Sequence, residues 1–168
     1  MSNKFMPTSK EKLGYLRVAD FFLAFANSKG DFLTNLKLQK LVYYAQAWYL
    51  ANYNKSLFQD DFEAWIHGPV IGELYRKLKA KGFYLSTPIK SSSKIEKVKE
   101  DLDKIDTELF AFLEKVAKVY FPYTAYELEL MTHQETPWIK ARKNLKPTDT
   151  CTNVITKSSI RDFYGKRI

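Results

Sequence analysis

The segment Leu33–Trp48, which reads LTNLKLQKLVYYAQAW, decides the fold of this 168-residue chain. Its apolar residues recur at steps of three and four, which places them on one stripe of an α-helix. The stripe consists of Leu38, Leu41, Val42, Ala45 and Tyr49. The spacing therefore predicts a helix over about residues 35–54, and Thr34 is well suited to be its N-cap.

The same helix carries more aromatic side chains than one core-facing stripe needs. They are Tyr43, Tyr44, Trp48, Tyr49 and Tyr53. The helical period places Lys37, Lys40 and Gln46 around the remaining surface. Two interpretations stay open: the solvated polar face of an amphipathic helix, or an aromatic and basic surface that recognises another protein, since tyrosine is enriched at protein interfaces.

Apolar residues at helical spacing also predict a first helix over residues 13–27. Its apolar face is formed by Leu16, Ala19, Phe22, Leu23 and Ala26. After the second helix, residues 57–67 alternate with a period of two, which indicates a short strand or extended segment. Gly68-Pro69 is then expected to begin a third helix, with Pro69 in its first turn and Gly82 just past its end.

The second half of the chain has weaker signals. Residues 86–106 are rich in serine and lysine and are expected to form a loop or charged excursion. A helix is predicted over residues 107–120, and the next one begins with a capping box in which Thr124 and Glu127 close reciprocal backbone bonds. Shorter elements are expected as a helix capped by Thr136 with Pro137 at its first position, a strand within 153–156 and a final helical turn within 159–164.

These elements predict a mainly α fold: a single compact helical domain over residues 13–168 with a small two- or three-stranded β element. Residues 1–12 are polar and contain a proline, so we expect a flexible N-terminal arm. Apolar residues make up 45% of the chain and charged residues 27%, a balance typical of globular proteins. The chain has no apolar stretch long enough to span a membrane and no signal-peptide core, so a cytoplasmic location is expected.

Few residues suit enzymatic chemistry or metal binding. With two histidines and one cysteine, the chain cannot form a zinc site from Cys and His ligands alone. It also lacks a Gly-rich phosphate loop and a Gly-x-Ser-x-Gly nucleophile motif. The sequence therefore predicts no catalytic residue, no cofactor and no metal, and an unrecognised enzyme would have to use Cys151 or His133.

The chain is basic, and its positive charge is segregated. The formal net charge is +8; residues 76–104 carry nine basic and four acidic groups, and residues 141–168 carry seven and two. A solvated basic face would aid solubility, whereas a working contact surface would bind an acidic protein or nucleic acid. One alternative function is therefore a nucleic-acid-binding regulator of its own operon. Its contacts would include Arg142, Lys143, Lys146, Arg161 and Arg167.

Two blocks of sequence are more specific than helix and cap signals. The first joins Leu33–Trp48 to Phe62–Val70 (FEAWIHGPV) and Glu73-Leu74-Tyr75. The second joins Tyr126-Glu127-Leu128 to Thr132–Trp138 (THQETPW) and Ala141-Arg142. In their order and spacing, across about residues 13–145, these blocks resemble the Panacea domain of SocA-like and phage-associated GepA-like antitoxins.

The resemblance implies a predominantly helical antitoxin of a toxin–antitoxin pair, of the kind carried on prophages and other mobile genetic elements. Members of this family neutralise toxins of unrelated folds encoded next door by direct protein–protein interaction, and at least one type of member delivers its toxin to a ClpXP-type protease. The expected partner is thus a cognate toxin from an adjacent gene, with a ClpXP-type protease as a further candidate and no membrane partner.

The matching blocks suggest two groups of site residues. The candidate toxin-binding surface consists of Lys37, Lys40, Tyr43, Tyr44, Gln46, Trp65, His67, Gly68 and Pro69. The residues expected to act structurally are Thr132, His133, Pro137, Trp138 and Arg142. Because Trp138 and Arg142 are four residues apart on a predicted helix, we expect their side chains to form a cation–π pair.

Overall fold

The computed structural model describes residues 13–168, so the arm expected over residues 1–12 lies outside the described residues. Within the described part the chain forms eight helices and five short strands. The helices are α1 (Tyr15–Ser28), α2 (Asn35–Tyr53), α3 (Gly72–Ala80), α4 (Ile95–Asp103), α5 (Leu109–Tyr120), α6 (Ala125–His133), α7 (Thr136–Arg142) and α8 (Lys157–Gly165). The strands are β1 (Leu33–Thr34), β2 (Phe62–Trp65), β3 (Gly68–Val70), β4 (Pro88–Ile89) and β5 (Val154–Ile155). The predicted mainly helical fold with a small β element is confirmed.

α2 is the central helix. Thr34 is confirmed as its N-cap, since the Thr34 hydroxyl oxygen accepts a hydrogen bond from the Lys37 N–H at 3.2 Å. Asn54 ends the helix in a left-handed conformation with φ of 51°. Twelve of the nineteen residues of α2 are buried, because α1, α5, α6 and α8 all pack against it. A helix covered on so many sides has no broad solvated face for its polar residues.

Both sheets are small and antiparallel. β2 lies between β3 and β5, and β1 pairs with β4. Trp65 lies opposite Gly68 in the hairpin formed by β2 and β3, and Glu63 lies opposite Val154 between β2 and β5. The strands predicted within residues 57–67 and 153–156 are confirmed as β2 and β5. β3 completes the larger sheet, which has the three strands that the sequence suggested as an upper limit.

The expectation that Gly68-Pro69 begins the third helix is wrong. Both residues belong to β3, where Pro69 lies opposite Ala64, and α3 begins only at Gly72. A tight turn reverses the chain just before Gly68, so this segment pairs with β2 instead of entering a helix. The expected end of the helix is confirmed, because Gly82 lies just past α3 with φ of 88°.

The segment 86–106, predicted as a loop, contains β4 and α4. Only Val98 and Leu102 of α4 are buried, and the helix packs on α1. On its exposed side, ion pairs link neighbouring turns, such as Lys97 Nζ to Asp101 Oδ1 at 2.8 Å. Two buried residues in nine are too few to show a helical period, which is why the polar composition suggested a loop.

The C-terminal half largely follows the prediction. The capping box is present: the Glu127 N–H donates to the Thr124 hydroxyl at 3.1 Å, and the Glu127 carboxylate accepts from the Thr124 N–H at 2.7 Å. At α7 the prediction is one residue late, since Thr136 is already helical and Glu135 occupies the N-cap position. The final helical segment is longer than expected and begins after Thr156, whose hydroxyl accepts from the Ser159 N–H.

Candidate protein-binding site

Four of the recognition residues predicted on α2 are buried. Lys40 and Tyr43 are fully covered, and Tyr44 and Gln46 are each 1% exposed. The prediction that these side chains form an exposed surface is therefore wrong. Its physical reason is the central position of α2, because the elements packed around this helix cover the sides on which these residues lie.

The buried polar side chains of α2 instead bind backbone groups of neighbouring segments. The contacts are Asn35 Nδ2 to the Phe83 carbonyl at 3.1 Å, the Ile71 N–H to Gln39 Oε1 at 3.0 Å, Lys40 Nζ to the Pro69 carbonyl at 3.0 Å, Gln46 Nε2 to the Phe58 carbonyl at 2.8 Å, and the Leu57 N–H to Gln46 Oε1 at 2.7 Å. Buried backbone groups need partners. The side chains of α2 supply these partners and so hold three separate segments of the chain against the central helix.

The Lys40 side chain is fully buried. Burial lowers its pKa to about 7, and the nearby Glu129 carboxylate acts in the opposite direction. Gly68 packs against it: an added Cβ would lie 2.8 Å from Lys40 Cε and 2.6 Å from the Thr132 hydroxyl oxygen, and Gly68 has φ of 93°. Gly68 and Pro69 are themselves buried. These two residues therefore join β3 to α2 and α6, and their predicted place on an exposed surface is wrong.

A buried carboxylate, Glu135, organises a second polar cluster. The hydroxyl groups of Tyr43, Tyr44 and Tyr164 donate to it at 3.2, 3.1 and 2.7 Å. Burial raises the pKa of Glu135, whereas the three hydroxyl donors favour its charged form. The cluster connects α2, the start of α7 and α8. It gives the tyrosines of α2 a structural use that their sequence pattern did not reveal.

The residues expected to act structurally lie at the end of α6 and along α7. His133 stacks on Trp138 with ring centres 4.2 Å apart, and burial lowers the pKa of His133. The guanidinium carbon of Arg142 lies 4.8 Å from the Trp138 ring centre, so the expected cation–π pair is present. Trp138 Nε1–H donates to the Trp65 carbonyl at 2.9 Å. Pro137, in the first turn of the helix, is buried.

Arg142 is 2% exposed and serves as a donor to backbone carbonyls. Its Nη1 donates to the Ala64 carbonyl at 2.8 Å, and its Nη2 donates to the carbonyls of Lys146 at 2.9 Å and Asp149 at 2.5 Å. The guanidinium thus ties the segment after α7 to β2. Its predicted place in a basic nucleic-acid-binding surface is wrong, because the fold uses its donors internally.

Three of the nine candidate toxin-binding residues reach the surface: Lys37, Trp65 and His67. The Lys37 ammonium donates to the Phe121 carbonyl at 2.7 Å and is partly covered by that contact. Half of the His67 side chain is exposed, and its Nδ1 lies 3.0 Å from Glu129 Oε1. Trp65 is half-buried. A role of these three side chains in toxin binding stays a prediction.

One exposed groove lies between α2 and α5. Its volume is about 270 Å³, and its apolar and aromatic lining consists of Trp48, Tyr53, Phe112, Val116, Val119 and Tyr120. Trp48 Nε1–H donates to the Tyr120 hydroxyl at 2.7 Å, and the Tyr120 ring stacks on Tyr44 with centres 3.9 Å apart. This groove therefore lies against Tyr44, one of the three tyrosines that bind Glu135.

A larger groove of about 660 Å³ lies between α1 and α3. Leucines line it, and charged residues stand at its rim: Leu16, Leu23, Leu38, Leu74 and Leu78, with Arg17, Asp20, Lys77 and Lys81. Leu16 is 49% exposed, so its predicted place on the buried face of α1 is wrong. Ala19, Phe22 and Ala26 of the predicted face are buried, and Phe21 and Phe25 extend the buried surface. The signal that could have revealed this is that α1 is apolar on more sides than one core contact requires.

Two absences apply to the part of the chain that the structure describes. Residues 13–168 hold no group of three or more His, Cys, Asp or Glu side chains placed to bind a metal ion. No helix among these residues has the length and apolar character needed to cross a bilayer. Cys151 is buried, and its sulfur accepts a hydrogen bond from the Asn153 N–H at 3.4 Å.

The comparisons with known proteins identify a family. The family model described as "Antitoxin SocA-like, Panacea domain" matches residues 38–139, which is more than half of the chain. A search of the curated proteins and a search of the solved structures each found no match. The matched range contains most of the buried contacts described above, from Lys40 through Gly68 and Thr132 to Trp138. The chain therefore belongs to the antitoxin SocA-like, Panacea-domain family.

Proposed function

We propose that this protein neutralises a toxin encoded by an adjacent gene, by binding it directly and without an enzymatic step. Membership of an antitoxin family supports the proposal. The observation that carries it is the division of the described molecule into a fixed interior, which uses most of the motif residues, and two uncovered apolar grooves. Exposed apolar surface of this kind marks sites of protein–protein contact.

The arrangement favours neutralisation by occlusion. The segments around α2 are held by buried hydrogen bonds, so the grooves are preformed and little ordering free energy is lost when a partner binds. A specific complex of this kind would bury about 1,200–2,000 Å² of total surface. The bound toxin would then have part of its surface covered by the antitoxin and would not reach its target.

Co-expression with each flanking gene tests the proposal, with growth and co-purification scored together. We expect one flanking gene to be toxic alone, growth to be restored by this protein, and a stoichiometric complex to elute in size-exclusion chromatography. The matched control is the same gene with an early stop codon, which keeps the transcript but removes the protein.

Growth rescue without a complex would contradict direct binding. Repeating the co-expression in cells without ClpXP then separates delivery to that protease from repression of the toxin gene. Rescue that disappears in these cells would indicate delivery, and rescue that persists would indicate another route.

The alternative of a nucleic-acid-binding regulator has less support from the described residues. Lys97, Lys99 and Lys104 of the first basic segment lie within 3.2 Å of aspartate oxygens, which reduces the net positive potential there. Arg142 of the second segment is buried. This alternative predicts DNA binding that weakens steeply as salt is raised.

A further inference from the structure

The groove between α1 and α3 has an apolar interior with no described segment covering it. Leu74 forms part of its floor and is 2% exposed, whereas Leu16 on the wall is 49% exposed. The groove is open along two helices and has a volume of about 660 Å³. That shape fits an elongated apolar ridge, such as the face of an amphipathic helix with side chains at helical spacing.

The rim of this groove is mainly positive. Lys77 and Lys81 stand there against one carboxylate, Asp20. The Asp20 carboxylate accepts a hydrogen bond from the Ser93 hydroxyl. Lys77 lies 3.7 Å from Glu73, and both side chains remain about half exposed. Such an exposed pair is worth little, so Lys77 stays available to an incoming carboxylate at small cost.

The wall formed by α3 extends this positive charge. Its exposed positions include Arg76, Lys77 and Lys79, followed by Lys81 at the C-cap, and Glu73 is its one acidic residue. Of these cations, Lys77 and Lys81 line the groove, so a ligand that lies along this wall meets one positive charge within α3 and one at its C-terminal end. Opposite charges on the ligand would speed association and fix its orientation.

The combination of leucines with cations selects the chemistry of the occupant. Nucleic acid would place its phosphates at the rim but would leave Leu16 without an apolar partner. Residues 1–12 of this chain carry Lys4, Lys10 and Lys12 against Glu11. The charge of this segment does not complement that of the rim. An external segment that is apolar on one face and acidic at its edges matches both features.

We propose that the groove between α1 and α3 binds an amphipathic helix of the toxin, with leucine-like side chains inserted between the two helices and carboxylates placed against the basic rim. This inference rests on the proposed function, in which a toxin is bound directly. It adds the site on this protein and the chemical class of the toxin segment.

Variants of the groove test the proposal in the complex with the toxin found by co-expression. Leu16→Glu places a negative charge in the apolar wall, and Lys77→Glu with Lys81→Glu reverses the rim. We expect each to weaken toxin binding at least tenfold in calorimetry, with the unfolding temperature of the free protein nearly unchanged. Leu16→Ala serves as a milder second variant if Leu16→Glu perturbs folding.

Matched controls are available on α7 and next to the end of α8. Ile139 in α7 is 48% exposed, almost the same as Leu16, so Ile139→Glu makes the same chemical change away from the groove. Lys140→Glu with Lys166→Glu reverses the same number of charges near α7 and α8. We expect both controls to bind the toxin as the wild type does.

Two synthetic peptides and a DNA duplex probe the groove without the toxin. The first peptide, of about 15 residues, carries leucine at helical spacing with glutamate at its edges, and the second has lysine in place of glutamate. We expect only the acidic peptide to bind the wild type, and Leu16→Glu to abolish that binding. Preference for the duplex, lost in the variant with both rim lysines reversed, would overturn the proposal in favour of nucleic acid.

The outcomes separate this inference from the proposed function. If the wild type forms no complex with either flanking product, direct neutralisation itself fails. If the complex forms and the groove variants bind as tightly as the controls, the groove is not the site, although direct neutralisation stands. Loss of binding in the groove variants alone supports both.

Discussion

The surroundings of α2 and the groove between α1 and α3 are built in opposite ways. Around α2, the side chains of Asn35, Gln39, Lys40 and Gln46 are covered, and each binds a particular backbone atom. In the groove, a leucine is half exposed and the charged groups stay at the rim. The first region requires particular residues at particular positions, whereas the second requires only an apolar wall with cations beside it.

The family match covers the α3 wall of the groove but not the α1 wall. The matched residues 38–139 also contain most of the buried contacts of α2. Changes at an exposed wall cost little stability. A frame of this kind would therefore let the binding surface vary while the buried contacts stay the same.

Gly68→Ala should destabilise the protein strongly. The added Cβ would lie 2.6 Å from the Thr132 hydroxyl oxygen and 2.8 Å from Lys40 Cε, in a backbone conformation with φ of 93°. Strain and overpacking together predict a loss of about 3 kcal/mol or more in the free energy of unfolding. Urea denaturation followed by circular dichroism measures it.

Gly165→Ala is the matched control, because no atom lies within 4 Å of its added Cβ and its φ is not positive. We expect it to change stability by less than about 0.5 kcal/mol. A loss below 1 kcal/mol for Gly68→Ala would show that β3 can shift away from Lys40, and the interior would be less constrained than the distances indicate.

Arg142→Ala should cost about 3 kcal/mol, because it leaves buried carbonyl groups of Ala64 and the segment after α7 without their donors. Arg142→Lys should cost about 2 kcal/mol, since one ammonium cannot reproduce the planar fork of donors. Thermal denaturation of the two variants beside Lys140→Ala, an exposed change on the same helix, checks the order. Equal losses of stability for Arg142→Lys and Arg142→Ala would indicate that packing on Trp138 outweighs the hydrogen bonds.

The sequence predicted the helices and their caps better than the candidate site, because helices and caps depend on residues close in sequence and the site depends on distant ones. Helical spacing and local caps predicted α2, Thr34 and the capping box at Thr124, which all rest on contacts between residues close in sequence. Burial of Lys40 depends on segments that are distant in the chain, such as Pro69. A lysine on a helix is usually exposed, so its sequence alone pointed to the surface.

The same limit applies to the tyrosines and to α1. Tyr43 and Tyr44 suggested an interface because nothing nearby in sequence shows that Glu135 is their partner. In α1 the apolar residues are so dense that the period leaves the phase of the helix undetermined, and Leu16 was placed on the wrong side. The exposed groove was therefore missed for the same reason that the buried residues were placed outside.

Lys40 predicts a pH dependence of stability. Burial lowers its pKa from 10.5 to about 7, so between these values the unfolded chain binds more protons than the folded one. The free energy of unfolding should then rise with pH, by at most about 1.4 kcal/mol per pH unit. Urea denaturation of the wild type and Lys40→Met between about pH 7.5 and 9.5 measures the difference, which should increase with pH in favour of the wild type.

Other titrating groups do not imitate this slope. The pKa of Lys37 is also lowered by burial, but Lys37 is present in both proteins and cancels in the difference. Burial raises the pKa of Tyr43 and Tyr164, so these groups change stability only where the unfolded tyrosines ionise, above about pH 10. Parallel curves for the two proteins would mean that Lys40 remains charged in the folded state throughout the window.

Leu16→Ala should have the smallest effect on stability. Leu74→Ala is the comparison, because it separates an exposed wall residue from a buried residue of the same groove. Both leucines line the same groove, but Leu16 is 49% exposed and Leu74 is 2% exposed. Leu74→Ala removes buried volume and should cost about 2–5 kcal/mol, whereas Leu16→Ala should cost less than about 0.5 kcal/mol because alanine also favours the helix. Toxin binding should reverse the usual relation between stability and function: the variant with little effect on unfolding should weaken the complex by itself. If Leu16→Ala instead destabilised the protein as much as Leu74→Ala, the groove would be closed in solution by part of this chain, and the wall would belong to the interior.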